Sequence, residues 1–315
     1  MSFTAEVKDE LSRVEAGSEL CEVAQLSALI RVCGTLSFRG AGRYSLRVST
    51  ETGAVARTVF LLAHRLFDLK TELTYRRSVL HKTRNYLIEI PEQDGLEDIL
   101  VKLGILVPGR GLAAGVPAHL TSDPAARAAF IRGAFMAGGF IADPRGDFHL
   151  EVAVTGEDFA TGLVRLMGEE RVKARLNHRR GAFAIYLKSF EGVVALLRVM
   201  GAQRSATAVE RVRQLKEKKN NANRVRNADM ANISRTTSAS IEQMATIDEL
   251  ERLVPLSTLP PALRQFCELR RENPGISLAD LGELATPPAS KSAMYHRLLR
   301  IEQILAEARE AAGSR

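Results

Sequence analysis

The chain has 315 residues, 45% of them hydrophobic and 26% charged, with a formal net charge of +7. That length suffices for two domains with real cores, and the composition is that of an ordinary globular protein. No apolar run approaches the ~18 residues that span a bilayer, so a membrane is not expected as a partner. The polar start M-S-F-T-A-E-V-K-D-E lacks an apolar h-region, which predicts no secretion. Cys21, Cys33 and Cys267 are isolated and odd in number, which predicts reduced thiols in a cytosol. The histidines are scattered, with no H-x-x-x-H spacing and no Cys/His pairing, so neither a structural metal nor a cofactor is expected. The positive charge favours a polyanionic partner, nucleic acid before any other.

Helical spacing of Phe3, Val7, Leu11 and Val14 predicts a first helix over Ser2–Val14, and a strongly apolar helix follows from Cys21 to Gly34. Strands are expected at Thr35–Phe38 and Tyr44–Thr50, joined by the turn R-G-A-G-R. In the second of these Tyr44, Leu46 and Val48 share one face and Ser45, Arg47 and Ser49 the other, a half-buried strand with a polar outer face. A helix at Ala54–Leu69, strands at Glu72–Arg77 and Asn85–Ile90, and a helix at Leu96–Leu103 complete a first unit. Residues 104–123, punctuated by Gly and Pro, read as a linker. Asp123-Pro124 is a helix start, with an acid at the cap and Pro in the first turn. A second unit follows in the same order. It has a small-residue helix to Gly139, strands at Phe140–Ala142 and Phe148–Thr155, a helix at Glu157–Met167, strands at Val172–His178 and Phe183–Lys188, and a helix at Phe190–Met200.

The two units open on related stretches, L-S-A-L-I-R-V-C-G at Leu26–Gly34 and I-R-G-A-F-M-A-G-G at Ile131–Gly139. Two copies at the head of two αββαββα units resemble the LAGLIDADG homing endonuclease fold. Leu26, Leu29, Ile30 and Gly34 match the motif in the first copy, and Gly133, Ala137 and Gly139 in the second. The resemblance implies that the two motif helices pack together along small residues, here Ser27, Ala28, Gly133 and Ala137. It also implies a catalytic role for the last acid of each motif, which holds divalent metal through carboxylate oxygens. Those places carry Cys33 and Gly138, and the other acidic places carry Arg31 and Met136. Asp143 and Asp147 lie nearby, but in one half only. No catalytic residues, no metal and no nuclease activity are therefore expected, and Cys33 reads as a small apolar side chain. A metal-dependent endonuclease is the alternative. So is an RNA-binding, maturase-like protein using strand faces with Ser45, Arg47 and Arg175, although the C-terminal helices argue against it because the deep major groove of duplex RNA is closed to a helix.

From Arg204 to Arg226 eight cations face two acids, a net +6 within a whole-chain +7. This stretch, read as a basic linker over 204–222, is helix-compatible and offers phosphate contacts through Arg211, Arg213, Lys216, Lys218, Lys219, Arg224 and Arg226. Asn227–Leu253 reads as helical in pieces, with Ile241, Met244, Ile247 and Leu250 on one face. A helix over Ala262–Arg271 ends at Asn273-Pro274-Gly275. Ser277 and Asp280 suggest a capping box, with Leu278, Leu281 and Leu284 as an inner face. After the turn T-P-P-A a last helix starts near Ser290, with Met294, Leu298, Ile301 and Leu305 on its apolar stripe. This is a helix-turn-helix layout over about 276–309. Ser290, Lys291, Ser292, Tyr295, His296, Arg297 and Arg300 stand where such a motif meets DNA. Arg can read guanine bidentately, and Lys binds phosphate as a point charge.

The whole arrangement is α+β: two pseudo-symmetric LAGLIDADG-like repeats, about 20–105 and 124–203 of a domain 1–203, then an all-α helix-turn-helix domain over 223–315. N-R-V-R-N-A-D-M-A-N (Asn223–Asn232) and I-S-L-A-D-L-G-E-L-A-T-P-P-A-S-K-S-A-M-Y-H-R-L (Ile276–Leu298) make the chain closely similar to the WhiA family of bacterial regulators. The resemblance implies a sequence-specific transcription regulator that binds double-stranded promoter DNA and is tied to sporulation septation, cell division and chromosome segregation. It implies a cytoplasmic, nucleoid-associated location. In actinobacterial members it also implies a WhiB-like iron–sulfur protein as partner, docking on the first domain.

Overall fold

A computed structural model describes residues 2–15, 17–40, 42–77, 84–179 and 181–313. The described chain divides into two compact units, Met1–Lys216 and Glu217–Arg315.

In the first unit α1 (Phe3–Leu11) precedes α2 (Glu19–Cys33), which Ser18 caps through its side chain. Strands β1 (Gly34–Phe38) and β2 (Tyr44–Thr50), helix α3 (Gly53–Phe67), strands β3 (Glu72–Arg77) and β4 (Arg84–Ile90) and helix α4 (Leu96–Lys102) follow. Ala41, in the expected turn R-G-A-G-R, lies outside the described residues. The antiparallel sheet order is β1-β2-β4-β3. Leu46, Val48, Ile88 and Ile90 point inward, while Arg47 and Ser49 face out, as alternation along a strand requires.

The segment after α4 is not the loose linker its Gly and Pro content suggests. It forms the short strands β5 (Leu106–Val107) and β6 (Gly111–Leu112) and a 3-10 turn at Ala118–Leu120. Ile105, Leu106 and Leu120 are buried. Helix α5 (Pro124–Gly138) then starts at Asp123, whose carboxylate accepts from the Ala126 N–H at 3.0 Å. β7 (Gly139–Ile141), β8 (Leu150–Val154), α6 (Glu157–Glu169), β9 (Arg175–Arg179), β10 (Ala182–Leu187) and α7 (Phe190–Met200) repeat the first half. Their sheet order β7-β8-β10-β9 has the same topology as the first sheet. The sequence similarity between the halves is therefore a structural repeat.

Helices α2 and α5 form the most extensive contact of any two elements. Small residues set their separation. A Cβ added at Gly133 would lie 2.4 Å from the Gln25 carbonyl oxygen and 3.0 Å from Ala28 Cβ, so only glycine admits this approach. Ser27, fully buried, donates to the Leu103 carbonyl at 2.6 Å and leaves no unpaired hydroxyl in the core.

Helix α8 runs unbroken from Gln203 to Leu253, where the sequence reading had a basic linker and helical pieces. Its Asn, Ser and Thr content lowers helix propensity, but no Gly or Pro interrupts the 51 residues. The buried Glu10 carboxylate accepts from the N–H groups of Arg204 at 2.8 Å and Ser205 at 3.0 Å, and so satisfies orphan donors at the helix start.

In the second unit the later part of α8 precedes α9 (Pro261–Glu272), α10 (Leu278–Glu283) and α11 (Lys291–Gly313). Ile247, Leu250, Phe266, Cys267, Leu281 and Met294 lie at the centre of its separate core.

Candidate nucleic-acid interface

Helix α10 is only six residues long and depends on its ends. Ser277 Oγ accepts from the Asp280 N–H at 3.3 Å, and Asp280 Oδ2 accepts from the Ser277 N–H at 3.3 Å, the reciprocal capping box expected from the sequence. Gly282 brings the helix against the following turn: a Cβ there would meet the Ala289 carbonyl oxygen at 2.2 Å, and the Ala289 N–H donates to Gly282 O at 2.9 Å. Leu281 is buried, but Leu284 is half exposed and does not join the inner face. It falls past the end of α10, where helical periodicity no longer governs direction.

Helix α11 buries Met294, Leu298, Ile301 and Leu305, the predicted stripe. That orientation turns Lys291, Ser292, Tyr295, His296 and Arg300 to solvent. Arg300 rests on its own helix, donating to Gln303 Oε1 at 3.0 Å with Glu307 at 3.7 Å. Two of the seven predicted contacts are otherwise engaged. Ser290 Oγ accepts from the Ala293 N–H at 3.2 Å and caps the helix. Arg297 is half buried, with Gln265 Oε1 and Met294 Sδ each at 3.5 Å. Both then support the geometry of the tip.

The basic stretch of α8 also splits. Arg213 pairs with Glu191 at 2.6 Å and lies over the Phe190 ring at 4.1 Å, while Lys216 donates to the Gly146 carbonyl at 2.6 Å. These two cations are spent on the surface of the first unit. Arg211, Lys218, Lys219, Arg224 and Arg226 are exposed and form no ion pair among the described residues.

The former acid places of the repeat are closed to a metal. Burial pushes the Cys33 thiol up to about 12, and its Sγ donates to the Leu29 carbonyl at 3.1 Å. At Gly138 an added Cβ would lie 2.4 Å from the Ala153 carbonyl oxygen and 2.8 Å from Val32 Cγ1, so a carboxylate has no room there. Arg31, at another acidic place, donates to the carbonyls of Gly104 and Ala113, the latter at 3.1 Å, and faces the Phe159 ring. Burial lowers its pKa to about 10, which leaves it charged at neutral pH. Asp143 is engaged with Arg145 at 2.6 Å, which holds its carboxyl down at about 2. Among the described residues no group of three or more His, Cys, Asp or Glu could hold a metal ion. These residues do not fit the hard divalent cation that the endonuclease fold implies. On the outer face of the first sheet Arg47 is paired with Glu89 at 2.6 Å.

Residues 19–106 match the family model of the WhiA N-terminal LAGLIDADG-like domain, residues 127–219 that of the WhiA LAGLIDADG-like domain, and residues 222–305 that of the WhiA C-terminal HTH domain. The probable cell division protein WhiA of Clostridium novyi (strain NT) is 38% identical over 314 residues, covering 98% of this chain and 99% of that protein. The chain belongs to the WhiA family. The probable cell division protein WhiA of Thermoanaerobacter pseudethanolicus is 37% identical over the same span. The crystal structure of full-length DUF199/WhiA from Thermatoga maritima, 24% identical, superposes with a TM-score of 0.60 over 98% of this chain and 99% of that one, which shows the fold. Among the described residues no helix is long and apolar enough to cross a membrane.

In this WhiA-family chain one residue that supports the helix-turn-helix escaped the sequence reading. Arg270 is 1% exposed, and its Nη1 donates to the carbonyls of Ile276 at 2.8 Å and Asn273 at 3.3 Å, with Ser240 Oγ at 3.5 Å. The same Ser240 hydroxyl accepts from the Gly275 N–H at 3.1 Å. Together they hold the reversal between α9 and α10. The signal was present: Leu263, Phe266, Cys267 and Arg270 share one helix face, so the arginine stands on an apolar stripe. Conversely, Ile241 is 64% exposed, and Ser240 and Gln243 are buried instead. Ser240 and Gln243 thus join the predicted Ile247 and Leu250 on the inner face of α8, and Ile241 does not.

Proposed function

We propose that this WhiA-family chain is a sequence-specific DNA-binding transcription regulator without nuclease activity, acting in cell division, sporulation septation and chromosome segregation. The observation that carries the reading is the exposed start of α11, where Lys291, Ser292, Tyr295, His296 and Arg300 stand clear of the core on a capped helix-turn-helix. Arg300 would release Gln303 and Glu307 and donate to a base edge in the major groove, with Lys291 on a phosphate. Arg211, Lys218, Lys219, Arg224 and Arg226 would add salt-dependent affinity. The names of its relatives and the match of residues 222–305 to an HTH domain support this role.

The first unit, with its closed acid places and its Arg47–Glu89 pair on the sheet face, suits protein docking better than a polyanion. Its proposed partner is a WhiB-like iron–sulfur protein. A cytoplasmic, nucleoid-associated location belongs to the same reading.

The test is selection from a random duplex library by the full chain and its variants. Arg300→Ala should bind with relaxed base preference at one position, and Lys291→Ala should weaken all sequences alike. An unchanged preference in Arg300→Ala would remove that residue from the reader. Supercoiled plasmid should stay intact with Mg²⁺ or Mn²⁺, and reproducible nicking by pure protein would overturn the non-nuclease reading.

A further inference from the structure

The centre of α8 carries a pattern that phosphate tracking does not explain. Lys218–Ile241 holds five cations, Lys218, Lys219, Arg224, Arg226 and Arg235, against a single acid, Asp229. None of the five forms an ion pair among the described residues. Arg226 and Arg235 bond only locally, to Asn223 Oδ1 at 3.5 Å and Asn232 Oδ1 at 2.6 Å, and Arg235 also to the Ala231 carbonyl at 3.3 Å.

The spacing is specific. Asn220, Asn223, Arg224, Asn227, Ser234 and Arg235 fall at i, i+3, i+4, i+7, i+14 and i+15, and therefore share one face. Ala231 lies on that face at i+11, with Ala228 at its border. Asn223 is half buried and the others are exposed. At 1.5 Å per residue the row spans about 22 Å. Ala222, Val225, Asp229 and Ile233 occupy the opposite side, so the only acid of the segment is turned away from the row.

Two physical arguments select the occupant. A stretch of Asn, Ser and Thr is a poor helix former, and with its few apolar side chains, Val225, Met230 and Ile233, exposed and no i,i+4 ion pairs it is not self-stabilising. A surface that satisfies its side chains must complete it. That surface is polar and anionic, because the row itself offers amides and guanidinium groups, with Met230 as the one large apolar side chain at its border. Asn amides match the N6/N7 edge of adenine, and Arg matches the O6/N7 edge of guanine. Small Ala228 and Ala231 let the backbone approach the bases. Continuous helices, and not only helix-turn-helix tips, dock in the major groove in this way.

We infer that this face of α8 is a second base-reading surface, a continuous helix laid in the major groove of duplex DNA and distinct from the tip of α11. The inference rests on the DNA-binding reading above and adds its own bases to the recognised site. Lys219, at the border of the row, reaches a phosphate, while Arg226 lies with Ala222, Asp229 and Ile233 on the opposite side.

The experiment uses the full chain, its selected duplex, and the variants Asn227→Ala, Ala231→Leu and Arg300→Ala. Asn227→Ala introduces a better helix former and Ala231→Leu one nearly as good as alanine, so helicity is retained and circular dichroism checks it. Each should bind the selected duplex roughly 10- to 100-fold more weakly, with the slope of affinity against salt unchanged. Reselection with Asn227→Ala should lose preference at base positions other than those lost with Arg300→Ala. Wild-type affinity and preference in both α8 variants, with Arg300→Ala impaired, would overturn this inference and leave the DNA-binding reading standing. A wild type with no preference for any duplex would overturn both. Equal competition by an RNA duplex of the same sequence would also exclude this mode, because its major groove does not admit a helix.

Discussion

Gly133→Ala tests whether the close approach of α2 and α5 organises the first unit. The added Cβ would stand 2.4 Å from the Gln25 carbonyl oxygen and 3.0 Å from Ala28 Cβ. The first neighbour is backbone inside a helix and cannot swing aside, so the two helices must part by several tenths of an ångström. Overpacking of this kind costs about 1–3 kcal/mol, and a backbone obstacle places it at the upper end. Alanine in a helix interior recovers about 1 kcal/mol relative to glycine. The net loss is about 1–2 kcal/mol, a fall in Tm of roughly 2–8 °C for a unit of this size. Gly168 in α6 supplies the control, since a Cβ there meets nothing within 4 Å. Gly168→Ala should be neutral or stabilising by up to about 1 kcal/mol. Thermal and urea unfolding of both variants beside the wild type decide the matter. A Gly133→Ala protein as stable as Gly168→Ala would refute the argument that helix separation is set by this glycine.

Other perturbations follow from the same geometry. Arg31→Met leaves the carbonyls of Gly104 and Ala113 without their donor, and should cost about 2–4 kcal/mol and expose residues 104–113 to limited proteolysis. Arg270→Met should destabilise the second unit by about 2–3 kcal/mol and weaken DNA binding as the unit unfolds, both read in one urea titration with labelled duplex. Burial holds Cys33 at about 12 against an ordinary 9.0. Folding therefore favours the neutral thiol, a contribution complete below pH 9 and lost as pH rises towards 12. Cys33→Ala should show a shallower fall in Tm than wild type between pH 8 and roughly pH 10.5. Cys33 and Cys267, both raised by burial, should resist alkylation at pH 8 in the native protein and react once it is unfolded.

Much of this was legible in the sequence because local rules and tertiary demands agree. The α2 and α5 helices were visible as apolar, small-residue runs ending in glycine, and their pairing followed from the repeat. Alternation exposed β2, and the capping box with the Met294 stripe exposed the helix-turn-helix. What escaped depends on partners distant in the chain. Glu191 neutralises Arg213 from 22 positions away, and Gly146 occupies Lys216 from 70. Arg31 ties down the segment after α4, which its Gly and Pro content made to look loose. The α8 helix was underestimated because Asn, Ser and Thr weaken a helix without breaking it. Leu284 and Ile241 were placed inside by residue type, yet burial follows the end of α10 and the true inner face of α8.

The proposed role of this chain is to read DNA sequence. Its most direct test is fluorescence anisotropy of the full chain with the duplex it selects and with a scrambled duplex of equal composition, across several salt concentrations. A preference of roughly a thousandfold or more for the selected duplex is expected at physiological salt, with both affinities falling as salt rises. Equal affinity for the two duplexes at every salt concentration would contradict it, and would leave only a basic surface that holds phosphate.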